Sequence, residues 1–216
     1  MHAWRNYKKY AYGKDFLKPL SKSGKDEMGL GLTLIDSMDT MLIMNLQEEF
    51  KEARGFVEKL KFERKEVMVS ASELNTRVLG SFLSVYSITG DEMFLNKAKE
   101  VGEILYEAWD QSHPLPYSFI DFQTMKGAFR KYKNGSVILS EAGSYTMEFC
   151  TLSYLTKDEK YCKIALQTVK KLLSFTSDGI VFSEINFNDF SLHQKETLGE
   201  GKKKKIFVLK IKIKIF

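Results

Sequence analysis

An all-α architecture of stacked helical hairpins follows from three observations on the sequence. Apolar residues recur at helical spacing in residues 31–45, 49–60, 73–88, 92–108, 141–155 and 158–174. The prolines, Pro19, Pro114 and Pro116, all fall in apparent loops outside these stretches, so no ring interrupts a helix from inside. Thr89, Asp91, Glu92, Phe94 and Ala98 recur as Thr156, Asp158, Glu159, Tyr161 and Ala165, each pair 67 positions apart. One supersecondary unit used twice makes either a solenoid or a closed α/α toroid.

The opening MHAWRNYKKYAYG is amphipathic and aromatic rather than signal-like. Residues 73–88 and 92–108 form a first hairpin around the polar turn ITGDE, and residues 141–155 and 158–174 a second around LTKDE. In each turn an aspartate, Asp91 or Asp158, is placed to accept hydrogen bonds from the free amides that begin the next helix. The helix before each turn begins near an acid, Glu73 in the first copy and Glu141 in the second. Between the copies, residues 110–140 break the pattern with HPLPY, several aromatics and Asn134-Gly135, which reads as a loop with a short hairpin at KNGS. Asn134-Gly135-Ser136 is also a glycosylation sequon, meaningful if the chain enters the secretory pathway. From Lys202 the segment KKKKIFVLKIKIKIF alternates Lys and Ile with neither helical spacing nor turn chemistry. It reads as a tail, 201–216, foreign to a domain spanning 1–200.

At 216 residues with 44% apolar content, the chain is able to bury a substantial core. Its formal charge of +5 resides largely in the tail, where Lys202 to Lys205, Lys210, Lys212 and Lys214 cluster. The remainder is close to neutral, so no basic face for nucleic acid is implied. Cys150 and Cys162 are too few for a disulfide framework or a zinc site and lie in apolar helical patterns, which reads as buried thiols. No window of roughly 18 apolar residues marks a membrane span, and no targeting signal is legible.

Acids within apolar stretches carry the chemistry. Burying a carboxylate is costly unless it is paired, so each such acid needs a reason. Asp36 and Asp39 lie in GLGLTLIDSMDTMLIM, Glu73 in SASELNTRVLGSFLSVY and Glu141 in GSVILSEAGSYTMEF. Helix caps or ion pairs are adequate bland accounts of each alone; Glu73 and Arg77, four apart on one helix face, would form such a pair. Glycoside hydrolysis, by contrast, needs two carboxyl groups facing each other across the scissile bond.

Four segments in order resolve this choice by resemblance. HAWRNYKKYAYGKDFLKPLS resembles the opening helix and loop of class I α-1,2-mannosidases, glycoside hydrolase family 47, and GLGLTLIDSMDTM resembles their DxxDT signature in its endoplasmic reticulum version. ASELNTRVLGSFLSVYSITGD is similar to the segment with that family's proton donor, and GSVILSEAGSYTMEFCTLSYLTKD to its next acidic helix. The resemblance runs along residues 2–199. It implies an (α/α)7 barrel, with about the first half of its helical hairpins present. It implies that Glu73 is the general acid, with Arg77 beside it, that Asp36 is one of the acids the family needs, and that Glu141 belongs to the sugar-binding floor. The implied reaction is inverting hydrolysis of terminal α-1,2-linked mannose from high-mannose N-glycans in the endoplasmic reticulum or Golgi lumen. The family's Ca²⁺ is implied as cofactor, held by a threonine that these residues do not include, and so no metal ligand is expected within this chain. Family members are membrane-anchored, with no anchor legible here. Two departures stand out: Ser72 replaces the aromatic residue usual before the acid, and Thr76 an aliphatic one, both loosening the packing around Glu73. Further catalytic acids of the family are likewise unmatched, which predicts no turnover by these residues alone. A glycan-binding quality-control factor and a non-functional truncated product are the competing readings.

Overall fold

Two antiparallel helical hairpins form the centre of the structure, a computed structural model that describes residues 1–110, 112–129, 135–175 and 184–193. The chain opens with helix α1 (His2–Ala11), the hairpin of β1 (Phe16–Lys18) and β2 (Ser23–Lys25), the short helices α2 (Leu32–Asp36) and α3 (Met38–Ile43), and α4 (Gln47–Lys59). Strand β3 (Met68–Ser70) leads into α5 (Ala71–Glu73), a π-helical turn at Leu74–Leu79 and α6 (Gly80–Thr89), which α7 (Glu92–Tyr106) follows. After β4 (Phe119–Asp121) and β5 (Lys126–Ala128), the second unit repeats the plan. It consists of β6 (Ser136–Ile138), α8 (Leu139–Ala142), α9 (Thr146–Thr156) and α10 (Lys160–Leu173), followed by β7 (Glu184–Asn186) and β8 (Leu192–His193).

The helices form where apolar residues share a face. In α7, Phe94, Leu95, Ala98, Val101, Gly102 and Leu105 are buried, and in α10 Tyr161, Ala165, Thr168 and Leu172. Fully burying each large apolar side chain stabilises by about 1.5–3 kcal/mol, so these stripes dock the helices. Gly102 lets α7 approach α9 and α10 closely: a Cβ there would lie 2.4 Å from Leu152 Cδ2. The repeated turns are alike down to their hydrogen bonds. Thr89 Oγ1 donates to Val85 O and accepts from Asp91 N, and Asp91 Oδ1 accepts from Met93 N. Thr156 Oγ1 donates to Leu152 O and accepts from Asp158 N, and Asp158 Oδ1 accepts from Lys160 N. The repeat also extends further upstream than its sequence identity: a three-residue strand precedes each acid, so Glu73 follows Ser70, and Glu141 follows Ile138, at the same interval.

Several expectations are corrected. The stretch 31–45 is two helices, because Ser37 Oγ donates back to Leu34 O at 3.0 Å and bends the chain. The stretch 73–88 widens into the π turn, where Thr76 Oγ1 donates to Ser72 O. In 141–155, Gly143 to Tyr145 separate α8 from α9. The strands on either side of KNGS pair with other partners: β5 with β4, and β6 with β7. The hairpin of this region is Phe119–Ala128 instead, while Asn134 of the sequon and the tail 201–216 lie outside the described residues. Cys150 and Cys162 are not thiols but a disulfide across α9 and α10, with Cα atoms 4.2 Å apart. The antiparallel hairpin sets them face to face, a proximity that two cysteines in a sequence do not reveal.

Candidate active site

Glu73 closes a short chain of local decisions. Strand β3 pairs antiparallel with β4, Ser70 ends the strand, and its hydroxyl accepts from Glu73 N at 3.4 Å as the cap of α5. The carboxyl emerges at the strand-to-helix junction, with its side chain 47% exposed. Arg77, on the π turn, places Nε 4.0 Å from Glu73 Oε2 and 4.0 Å from Asp36 Oδ2. Asp36 arrives from a separate segment, as the last residue of α2, with its side chain 48% exposed. At 4.0 Å neither pair is a hydrogen bond, so one guanidinium is shared loosely by two carboxylates that both remain open to solvent.

The Phe16 ring lies against the guanidinium, with Arg77 Cζ 5.5 Å from its centroid. Partial loss of hydration around the Asp36 carboxyl pushes its pKa up; Arg77 pulls it down, while Asp39 and Glu73 add to the rise. Asp39 is tied off elsewhere, accepting from Ser84 Oγ at 3.0 Å and Thr40 N at 2.6 Å.

Glu141 stands on α8, which packs against α5, so the second acid of the repeat lies on the helix next to Glu73. Its Oε2 is buried and accepts no hydrogen bond among the described residues. Such an oxygen is an acceptor waiting for a donor. Tyr145 beside it is fully buried, and burial pushes its hydroxyl far up, with the Glu141 charge acting in the same direction. The two units are cross-tied by Asn75, whose Nδ2 donates to Ser144 O at 3.1 Å and to Glu148 Oε2 at 2.9 Å.

The structure thus brings Asp36, Arg77 and Glu73 together and sets Glu141 on the neighbouring helix. Four further residues escaped the sequence reading: Asn75, Glu148, Asp15 and Phe16. The first two carried a signal, as polar residues within the same apolar runs as Glu73 and Glu141; Asp15, just before β1, and Phe16, its first residue, have partners that are set only by folding. A cavity of about 410 Å³ lined by Tyr106, Glu107, Asp110, Tyr117 and Lys126 contains none of the four predicted residues.

Comparison with known proteins gives concordant results. The profile of Glycosyl hydrolase family 47 matches residues 1–203. The mannosyl-oligosaccharide 1,2-alpha-mannosidase MNS1 of Arabidopsis thaliana is 39% identical over 190 residues, covering 86% of this chain and 34% of that protein. The endoplasmic reticulum mannosyl-oligosaccharide 1,2-alpha-mannosidase of Homo sapiens is 39% identical over 188 residues, covering 86% of this chain and 27% of that protein. Among solved structures, an alpha-1,2-mannosidase from Trichoderma reesei superposes with a TM-score of 0.78 at 24% identity, covering 88% of this chain and 43% of that one. That likeness shows the fold: the hairpins are part of an α/α barrel rather than an open solenoid.

Proposed function

Because this chain belongs to glycosyl hydrolase family 47, we propose that it supplies the proton-donating side of a site that hydrolyses terminal α-1,2-linked mannose from high-mannose N-glycans. The chain spans between about a quarter and a third of the length of the curated relatives it matches. The observation that carries the reading is the convergence of Glu73 and Asp36 on Arg77 at the strand-to-helix junction, with both carboxyls open to solvent.

Glu73 donates a proton to the glycosidic oxygen as the bond to the departing sugar breaks. Arg77 balances the charge left on Glu73 and shares it with Asp36, which stands in as hydroxyl acceptor beside the acid. Glu141, on the helix packed against α5, belongs to the sugar-binding floor beside the acid. Inversion further requires a carboxylate that activates water from the opposite face. No described residue is assigned that role.

Calcium belongs to this reaction as the group that orients sugar hydroxyls. The described residues contain no group of three or more His, Cys, Asp or Glu able to hold a metal ion, and between Asp36 and Glu73 the positive charge is already the Arg77 guanidinium. The described residues therefore do not form a cage for it. The endoplasmic reticulum lumen is the compartment this reading implies. The name of the human relative and the Cys150–Cys162 disulfide both support it, since such bonds persist in oxidising compartments. No described helix is long and apolar enough to cross a membrane. We take residues 1–200 as the family domain and 201–216 as lying outside it.

The test is mannose release from a high-mannose glycan. The purified 216-residue chain is expected to release none, with or without chelator. In a polypeptide of the relatives' full length carrying this segment, Glu73→Gln is expected to abolish release. Release that survives Glu73→Gln would refute the proton-donor assignment.

A further inference from the structure

Asp15 is fully buried, and its carboxylate is saturated by backbone. Its Oδ2 accepts from the amides of Glu27, Met28 and Gly29 at 2.6–2.7 Å, and its Oδ1 from those of Leu30, Gly31 and Leu32 at 2.8–3.1 Å. A carboxylate offers about four lone-pair directions, so none is left for a substrate. The Asp15 carbonyl in turn accepts from Thr33 N at 3.1 Å and Thr33 Oγ1 at 2.6 Å. This cradle ends at Leu32, the first residue of α2, and Asp36 is the last residue of that same five-residue helix. Leu34 and Ile35 are fully buried, so α2 is seated in the core directly after the loop that Asp15 holds. The residue that follows Asp15 is Phe16, held in β1 opposite Lys25, and its ring bears the Arg77 guanidinium.

We propose that Asp15 and Phe16 are positioning residues of the Glu73 site: Asp15 sets α2 and thereby Asp36, while Phe16 carries the guanidinium that stands between Asp36 and Glu73. The geometry explains an otherwise odd feature. A free guanidinium beside two carboxylates closes on one of them as a fork. Here it stays 4.0 Å from both, and the ring against it is the third contact that keeps it between them. The consequence for catalysis rests on Glu73 being the proton donor, but the positioning itself does not.

The experiment is carbon-13 and nitrogen-15 NMR of the full 216-residue chain, following the Arg77 Nε–Hε signal, the Asp36 carboxyl carbon and the amides of residues 27–32. In Phe16→Leu the upfield displacement of Arg77 Hε by the ring is lost, and in Phe16→Tyr it is kept, with the remaining amide spectrum unchanged in both. In Asp15→Asn the signals of Asp36 and Arg77 move along with the loop amides, whose exchange protection falls by more than an order of magnitude. Thr33→Val, which deletes only the hydroxyl bond to the Asp15 carbonyl, gives a smaller displacement of the same signals and serves if Asp15→Asn does not fold. An Arg77 signal indifferent to the loss of the ring would overturn the role of Phe16. Changes confined to the loop amides, with Asp36 and Arg77 still in place, would reduce Asp15 to a purely structural residue. Failure of the mannosidase reading looks different: the NMR displacements appear as stated, while Glu73→Gln leaves mannose release untouched.

Discussion

Replacing Asp15 with asparagine keeps the side-chain volume while removing its charge and turning one acceptor oxygen into a donor. Three of the six amides that now bind the carboxylate would then face an NH₂ group. Each buried donor left without a partner costs about 1–3 kcal/mol, and partial relaxation of the loop with entry of water recovers part of that. A net loss of about 4 kcal/mol is expected, at the upper end of single-substitution effects and a large share of a domain's total stability. With a urea slope of about 2 kcal/mol/M, the midpoint by far-UV circular dichroism falls by about 2 M.

The effect has a defined pH dependence. Burial alone would raise the Asp15 pKa, but the amides of Glu27, Gly29, Leu32 and Met28 outweigh it and hold it below its ordinary 3.8. A depressed folded-state value contributes stability that is complete above the unfolded value and is lost as pH falls through the folded one. The gap between wild type and Asp15→Asn should therefore be constant from neutrality down to about pH 4 and shrink below it. A midpoint shift worth under about 1 kcal/mol, or a gap that does not close in acid, would refute the reasoning.

Breaking the disulfide with Cys162→Ser should destabilise by about 2–3 kcal/mol, because the bond closes a loop of only 12 residues' separation; urea unfolding of wild type with reductant should reproduce the loss. Gly102→Ala forces a Cβ against buried Leu152 and should lower stability by about 1–3 kcal/mol, read as a drop in Tm. Thr168→Val removes the acceptor of Trp109 Nε1, bonded at 2.9 Å in the core, and should cost about 1–2 kcal/mol; a cost near zero in thermal unfolding would mean that water replaces it.

Helical periodicity, proline placement and the repeat by themselves determined the hairpins and their turns, because amphipathic spacing and capping aspartates act within a few residues. Motif order determined the family, and with it the candidates Glu73, Arg77, Asp36 and Glu141. Tertiary structure alone decided the pairing of Cys150 with Cys162 and the cross-tie from Asn75 to Glu148. The same holds for the site. That Arg77 stands between two acids, with Phe16 against it and Asp15 anchoring the helix of one of them, depends on segments far apart in the chain meeting in space. Periodicity reports which face of an element is buried; it contains no information on which other segment buries it, and only that meeting sets the distances between charges.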